Sequence, residues 1–207
     1  MILSPAPPNI LQAVHVIKQG GLIAYPTETV YGLGADPFNI DAIARIFAAK
    51  GRAADQSILL LIRNNIDLAK LTTEIPPIAE TLINTFWPGP LTLVFKAHPD
   101  LPAPLLGGRK TIALRHSSSP VASNLLQNLG SPLTSTSANR SGQPPARSAT
   151  EVQNTLGDHL DLILDGGPSA STAPSTLVDI STDRAILLRE GAISRQTLRK
   201  HIPIHIK

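Results

Sequence analysis

The 207-residue chain has no cysteine, only 3% aromatic residues and only 16% charged residues. The lack of cysteine excludes disulfides, thiolate metal sites and cysteine nucleophiles, and it gives no reason to place the chain in an oxidising compartment. The scarcity of aromatic residues requires a core built mainly from Ile, Leu, Val and Ala. The nineteen prolines and fourteen glycines are scattered among apolar runs, so they indicate sharp element boundaries rather than disorder.

Long apolar runs and the common nucleotide motifs are also absent. No run approaches the length of a membrane span, and the first ten residues lack the basic start and continuous apolar stretch of a signal peptide. The chain has no GxxxxGK(S/T) loop, no GxGxxG after the first strand, no GxSxG turn and no histidine pair at metal-binding spacing. The formal charge of +3 suits a phosphate-bearing ligand but does not identify a nucleic-acid-binding protein. We expect a cytoplasmic protein.

What is present is an alternation of helical and strand patterns. Apolar residues at helical spacing follow capping residues, and short apolar runs bounded by Gly or Pro indicate strands. Because several strands follow one another closely near the end of the chain, a mixed sheet is favoured over a purely parallel one. We expect one α/β domain over residues 1–207, with an open twisted mixed sheet and flanking helices. The predicted strands are 21–25, 58–62, 91–95, 111–114, 132–136, 162–164, 176–180 and 185–189, and the predicted helices start near 9, 39, 76, 120, 151 and 194.

The stretch 26–34, PTETVYGLG, directly follows the first predicted strand. Pro26 has no amide proton for a sheet ladder, so the strand should end there. Gly32 and Gly34 permit backbone conformations that side chains forbid, and they allow a ligand to approach the main chain. Spacing alone leaves two interpretations open, a ligand-binding loop at a strand end or a tight polar turn.

Further polar clusters stand at the ends of predicted elements. Lys50 and Arg52 straddle a glycine at a helix end, where they either share an anion or complement the helix dipole. Residues 134–137 form an unbroken hydroxyl run, followed by Asn139; this pattern suits phosphate oxygens or a ribose, or else forms a turn. Two further cations, each at the end of a predicted strand, hint at a pocket for an anion: Arg115 and Arg189.

Seven segments in order carry a family resemblance. They are PTETVYGLG at 26–34, AAKGR at 48–52, FWPGPLTLV at 86–94, TSANRSG at 136–142, DGG at 165–167, PSTLVD at 174–179 and LREGAI at 188–193. Each segment is weak evidence alone, but seven in this order at plausible spacing are highly specific. Over roughly residues 8–200 the chain resembles the YrdC-like family of L-threonylcarbamoyladenylate synthases, in its short, single-domain type.

That resemblance implies a fold, a reaction and partners. The implied fold is an open twisted α/β sheet around a large basic cavity. The implied reaction converts L-threonine, bicarbonate and ATP, the last with Mg²⁺, into threonylcarbamoyl-AMP and pyrophosphate. The product feeds the threonylcarbamoyl modification of adenosine 37 in tRNA. The implied partners are therefore a downstream threonylcarbamoyl-transferase complex and tRNA or double-stranded RNA, with no membrane.

The resemblance also implies roles for individual residues. The catalytic set would hold the triphosphate through residues that match the family's K-x-R and S-x-N elements: Lys50, Arg52, Ser137 and Asn139. Four residues would contact threonine: Thr29, Arg115, Ser135 and Ser175. Three more would lie on the nucleotide side, with the last near the α-phosphate: Gln56, Thr111 and Arg189.

The chain departs from the family pattern at three positions. Leu61 stands where some members carry a histidine, so another group would have to supply that threonine contact. Gln56 and Pro145 stand where other members carry Asn and Ser. The longer family branch has an additional C-terminal domain, which we expect this chain to lack.

Two alternative functions are weaker. A non-catalytic module for double-stranded RNA or tRNA needs positive charge, but it does not need the specific K-x-R and S-x-N residues. A carbamoyl-transfer domain of the hydrogenase-maturation type normally sits in a longer chain with zinc-finger cysteines, and this chain has no cysteine.

Overall fold

The computed structural model describes residues 1–53, 55–169, 171 and 173–206. Within these ranges the chain forms eight α-helices: α1 (Pro7–Lys18), α2 (Ile40–Lys50), α3 (Asn65–Leu71), α4 (Pro77–Phe86), α5 (Ala103–Leu106), α6 (Pro120–Leu129), α7 (Ala149–Leu156) and α8 (Arg195–Arg199). The same ranges contain twelve strands: β1 (Ile2–Leu3), β2 (Ile23–Tyr25), β3 (Gly32–Gly34), β4 (Leu60–Leu61), β5 (Leu91–Lys96), β6 (Thr111–Arg115), β7 (Leu133–Thr134), β8 (Thr136–Ser137), β9 (Leu162–Leu164), β10 (Thr176–Asp179), β11 (Ile186–Arg189) and β12 (His205–Ile206). Among these described helices, none combines the length and the apolar character that a membrane crossing requires.

The strands form two mixed sheets. The five-stranded sheet has the order β1-β9-β2-β3-β8, and the seven-stranded sheet has the order β12-β11-β10-β5-β6-β4-β7. Strand β2 pairs parallel with β9 and antiparallel with β3, while β5 pairs parallel with β10 and antiparallel with β6. The predicted α/β class and mixed pairing are confirmed. The division of the strands between two sheets was not predicted.

Capping residues set both ends of α2. Asn39, near which this helix was predicted to start, caps it: its side-chain oxygen accepts a hydrogen bond from the Ala42 amide at 3.0 Å. The helix stops at Gly51, which adopts the left-handed conformation with φ 56°. Lys50 is therefore the last residue of the helix, and Arg52 lies just beyond it.

Strand β3 corrects the interpretation of 26–34 as loop throughout. Gly32 and Gly34 are extended rather than left-handed, and they pair antiparallel with Tyr25 and Ile23 of β2. A Cβ atom on Gly34 would lie 2.8 Å from the Tyr25 ring, and one on Gly32 would lie 2.8 Å from Ser135 Oγ. Glycine is needed here for close approach between neighbours, not for an unusual backbone angle.

The predicted strand 132–136 divides between the two sheets. Strand β7 pairs with β4 in the seven-stranded sheet, and β8 pairs with β3 in the five-stranded sheet. Ser135 lies between them, and its amide donates to the Leu59 carbonyl at 2.8 Å. The hydroxyl run 134–137 therefore marks the place where the chain passes from one sheet to the other.

Several short elements were not predicted. Helix α3 is capped by Asn64, whose side-chain oxygen accepts hydrogen bonds from the Ile66 and Asp67 amides. Helix α5 lies between the predicted strands 91–95 and 111–114, while β1 and β12 are two-residue strands at sheet edges. Such elements are too short to show a periodic pattern, so tertiary contacts decide them.

Two apolar clusters form the core. The larger one includes the inner face of α2, with Ile43 and Ile46 fully buried. The smaller one packs α1 and α6 against β2 and β9, and it contains Tyr25 and Leu61.

Candidate active site

A cavity of about 640 Å³ is lined by residues of both sheets. Small-molecule sites typically have volumes of roughly 300–1,000 Å³, so this one has the size for a cofactor or nucleotide. Its described charged lining residues are four arginines and two aspartates: Arg52, Arg109, Arg115, Arg189, Asp55 and Asp179. This balance favours an anionic ligand.

Arg115, the last residue of β6, is 4% exposed. Its Nη1 donates to Thr29 Oγ1 at 3.1 Å, and its Nε lies 3.7 Å from Glu28 Oε1. Neither that Nε nor that Oε1 has a hydrogen-bond partner in the described part of the chain. The other carboxylate oxygen, Oε2, accepts from the hydroxyl of Ser117. Arg115 is therefore held by Thr29 and still has guanidinium N–H groups that could donate to a carboxylate.

A buried hydroxyl without a partner adds to this end of the cavity. Ser135 is 8% exposed, and its Oγ has no hydrogen-bond partner among the described residues. Buried polar atoms are nearly always paired, so such an atom lining a cavity indicates a place for a polar ligand group. Thr29 and Ser135 both line the cavity, as the predicted threonine contacts require.

Arg189, at the end of β11, faces the same region from the seven-stranded sheet. Its Nε and Nη2 donate to the Ser175 carbonyl at 3.2 and 2.9 Å, and Nη2 also lies 3.3 Å from Ser175 Oγ. Burial, with repulsion from Arg115, lowers the pKa of the Arg189 guanidinium. Two cations held close enough to repel favour an anion between them.

Arg52 lines a different part of the cavity. Its Nη1 donates to Thr136 Oγ1 at 3.2 Å, its Nη2 to the Ser57 carbonyl at 3.0 Å, and its Nε to Gln56 Oε1 at 2.8 Å. Burial lowers the pKa of Arg52; Asp55 opposes this and Arg109 adds to it. Ser137, Gln56 and Thr111 also line the cavity. The predicted phosphate and nucleotide residues on this side therefore share one wall.

Arg109 lines the cavity but was not predicted as a site residue, because it falls between the predicted strands 91–95 and 111–114 and not at the end of either. The preceding Gly107 has φ 56°, and a Cβ atom there would lie 2.5 Å from the Gln56 carbonyl carbon. The turn is thus docked on the segment that carries Arg52. The sequence signal that could have identified it is its position two residues before the predicted strand 111–114, which resembles the strand-end positions of Arg115 and Arg189.

Lys50 and Asn139 are not among the described residues that line the cavity. They are 4% and 7% exposed, and Lys50 Nζ donates to the Asn139 carbonyl at 2.9 Å and lies 3.4 Å from Asn139 Oδ1. Lys50 Nζ also donates to the Ser137 carbonyl. Burial and repulsion from Arg52 lower the pKa of Lys50 to about 8. The structure thus brings all four residues together, but only Arg52 and Ser137 reach the cavity.

The positions that depart from the family pattern also have distinct places. Leu61 is fully buried in the smaller core cluster, so it does not face the cavity. Pro145 and Gln56 both line the cavity. Among the described residues, no group of three or more His, Asp or Glu side chains could hold a metal ion.

Comparison with known proteins points to one family. A family model named Sua5_yciO_yrdC and described as "Telomere recombination" matches residues 15–191. The threonylcarbamoyl-AMP synthase of Bacillus subtilis is 38% identical over 206 residues, which cover 99% of this chain and 60% of that protein. The putative threonylcarbamoyl-AMP synthase of Mycobacterium tuberculosis is 40% identical over 190 residues, which cover 92% of this chain and 87% of that protein. This chain spans less than two thirds of the Bacillus subtilis relative.

Solved structures show the same fold. The Sua5 protein of P. abyssi, crystallised as a complex with L-threonine, matches with a TM-score of 0.95 at 37% identity, over 99% of this chain and 62% of that one. E. coli YciO matches with a TM-score of 0.83 at 30% identity, over 93% of this chain and 95% of that one.

Proposed function

The chain belongs to the Sua5/YciO/YrdC family, and from this premise we propose that it is a threonylcarbamoyl-AMP synthase. The reaction joins L-threonine, bicarbonate and ATP, and it releases pyrophosphate. Its class is adenylyl transfer, which makes the enzyme a nucleotidyltransferase. Relatives that carry the synthase name, and a related protein solved with L-threonine, support this proposal over a non-catalytic RNA-binding module.

One observation carries the proposal: a single cavity holds two separate arginine pairs. Arg115 repels Arg189, and Arg52 is repelled by Arg109. One pair stands beside the buried hydroxyls of Thr29 and Ser135, and the other stands beside Gln56. A threonine carboxylate and a triphosphate are two anions that must lie in one cavity, and the cavity offers a cationic place for each.

Threonine is assigned to the Arg115 end. Arg115 Nη2 makes no hydrogen bond to the described residues, so it is assigned to the threonine carboxylate, and the unpartnered Oγ of Ser135 is assigned to a polar group of the same substrate. Thr29 holds Arg115 in place by accepting its Nη1 hydrogen bond. Ser175 completes this end, since its Oγ lies 2.8 Å from Thr92 Oγ1 and is kept oriented by that contact.

ATP is assigned to the wall that carries Arg52 and Ser137, with Gln56 and Thr111 beside it. Arg189 lines the same cavity close to Arg115, and we assign it to the α-phosphate, which must lie next to the bound threonine for the reaction. Mg²⁺ enters with ATP as part of the substrate, because the described residues provide no carboxylate cluster to hold it independently.

The chemistry follows from these positions. The threonine amine combines with bicarbonate to give a carbamate and water. A carbamate oxygen then forms a bond to the α-phosphorus, and the bond from that phosphorus to the bridging oxygen of the β-phosphate breaks. The electron pair leaves with pyrophosphate. The protein supplies no nucleophile in this scheme; its arginines orient the two anions and stabilise charge on the phosphate oxygens.

The wider context follows from the product. Threonylcarbamoyl-AMP is an activated, labile adenylate, so a threonylcarbamoyl-transferase complex that modifies adenosine 37 of tRNA must consume it. We place the reaction in the cytoplasm, with tRNA or double-stranded RNA as an additional ligand of the cationic surface.

The test is pyrophosphate release from MgATP and bicarbonate, with and without L-threonine, while mass spectrometry follows the adenylate. We expect release that depends on threonine, together with threonylcarbamoyl-AMP. Arg52→Gln should abolish most of it, and Arg147→Gln, at an arginine outside the cavity lining, should not. Folded protein that binds tRNA tightly without any turnover would refute the proposal.

A further inference from the structure

Lys50 and Asn139 form a buried contact behind the cavity wall. The ammonium of Lys50 lies against the Ser137 carbonyl, the Asn139 carbonyl and Asn139 Oδ1. An ammonium has three hydrogens to donate, so these three acceptors use its full capacity. Neither residue is among the described residues that line the cavity.

The main chain of Lys50 also bonds to the segment that contains Asn139. The carbonyl of Lys50 accepts a hydrogen bond from the Ser141 amide at 2.7 Å. The Asn139 amide group faces the other way, and its Nδ2 donates to the Arg140 and Gln143 carbonyls at 2.9 and 2.6 Å. Segment 137–143 is thus fastened to the end of α2 through both the backbone and the side chain of Lys50.

The residues that reach the cavity sit directly beside these two. Ser137 lines the cavity, and its Oγ makes no hydrogen bond to the described residues, while its carbonyl is held by Lys50. Arg52 follows Lys50 by two residues and donates to Thr136 Oγ1 from the opposite side. The position of the Ser137 hydroxyl therefore depends on the contact between Lys50 and segment 137–143.

We propose that Lys50 and Asn139 are positioning residues, which place Ser137 and Arg52 for the phosphate ligand without contacting that ligand themselves. The K-x-R and S-x-N elements then divide by role. Arg52 and Ser137 contact the phosphate, whereas Lys50 and Asn139 hold the cavity wall in place. This inference deepens the proposed function and rests on it for the identity of the ligand.

The first test uses the protein without nucleotide. Hydrogen exchange of the amides of Asn139, Ser141 and Gln143 is compared in wild type, Lys50→Met and Asn139→Ala. We expect exchange about tenfold faster or more in both variants, while the amides of β5 stay unchanged. Lys18→Met, at the exposed end of α1, is the matched control and should leave segment 137–143 unaffected. If Lys50→Met does not fold, Asn139→Ala still tests the segment, because it removes the Oδ1 contact to Lys50 and the two Nδ2 hydrogen bonds to the Arg140 and Gln143 carbonyls.

The second test measures binding of inorganic pyrophosphate by calorimetry in a double-mutant cycle with Ser137→Ala. If Lys50 acts through Ser137, Lys50→Met weakens binding about tenfold in the wild-type background but less than about threefold in Ser137→Ala. Additive effects, with unchanged exchange in the free protein, would make Lys50 a direct phosphate ligand and overturn the inference. If wild-type protein binds neither pyrophosphate nor ATP, the proposed function fails instead. The exchange result still shows whether Lys50 and Asn139 hold segment 137–143 in place.

Discussion

Replacing Arg115 with methionine tests the threonine end of the cavity. The side chain is 4% exposed, it donates to Thr29 and it lies 3.7 Å from Glu28. A carboxylate gripped by a guanidinium gains charge-assisted hydrogen bonds of about 1.5–3 kcal/mol each. Losing a pair of them should cost at least about 3 kcal/mol, which is a loss of threonine affinity of roughly 100-fold or more.

Arg115→Met alone also leaves the Glu28 carboxylate without its nearby cation. The double variant Glu28→Gln/Arg115→Met removes that unpaired charge, so its loss of threonine affinity reports on the substrate contact rather than on the fold. Arg184→Met, at an exposed turn before β11, is the matched control and should bind threonine normally.

The assay is a threonine titration by calorimetry, followed by the KM for threonine and for ATP. We expect the threonine KM to rise strongly and the ATP affinity to change little, because Arg52 and Ser137 stay in place. A folded double variant that binds threonine like wild type would refute the assignment of Arg115 and, with it, the placement of the amino acid.

Three further predictions concern packing and ionisation. Gly34→Ala places a Cβ atom 2.8 Å from the Tyr25 ring, and should lower the free energy of unfolding by about 1–3 kcal/mol; an unchanged denaturant midpoint would contradict the close packing of β3. Leu61→His buries an imidazole in the smaller core cluster, and should cost about 2–4 kcal/mol in the same assay without any gain in threonine affinity; a tighter threonine complex would show that this side chain reaches the cavity. Burial raises the pKa of both tyrosines, that of Tyr31 to about 12. Each tyrosine therefore adds stability that is present below its ordinary pKa and is lost as pH rises through the folded value. Absorbance at 295 nm should show no tyrosinate near pH 10.5 while the protein stays folded, and half-ionised tyrosine at that pH would contradict it.

Much of the fold could be predicted because its signals are local. Asn39 and Gly51 mark the start and end of α2, and the apolar runs of β5 and β6 have the length and flanking residues typical of strands. The two sheets were not predictable in this way. Whether Thr134 and Thr136 continue one strand or pair with different sheets depends on contacts with β4 and β3, which lie far away in the sequence.

The residues expected at the site differ in how the structure orients them. The strand ends brought Arg115 and Arg189 to one cavity, as the pattern favours. The spacing of Lys50 and Arg52, by contrast, does not reveal that one points back into the segment 137–143 and the other points into the cavity. Side-chain direction at a helix end is set by tertiary neighbours, so it appears only in the folded structure.

The most direct test of the synthase assignment follows the carbon of bicarbonate. Purified protein is incubated with MgATP, L-threonine and ¹³C-labelled bicarbonate, and the adenylate is analysed by mass spectrometry alongside pyrophosphate. If the chain is a synthase as proposed, the adenylate is threonylcarbamoyl-AMP that carries the ¹³C atom, formed in equal amount with pyrophosphate. Threonyl-AMP without the label, or ATP left intact by folded protein, would contradict it.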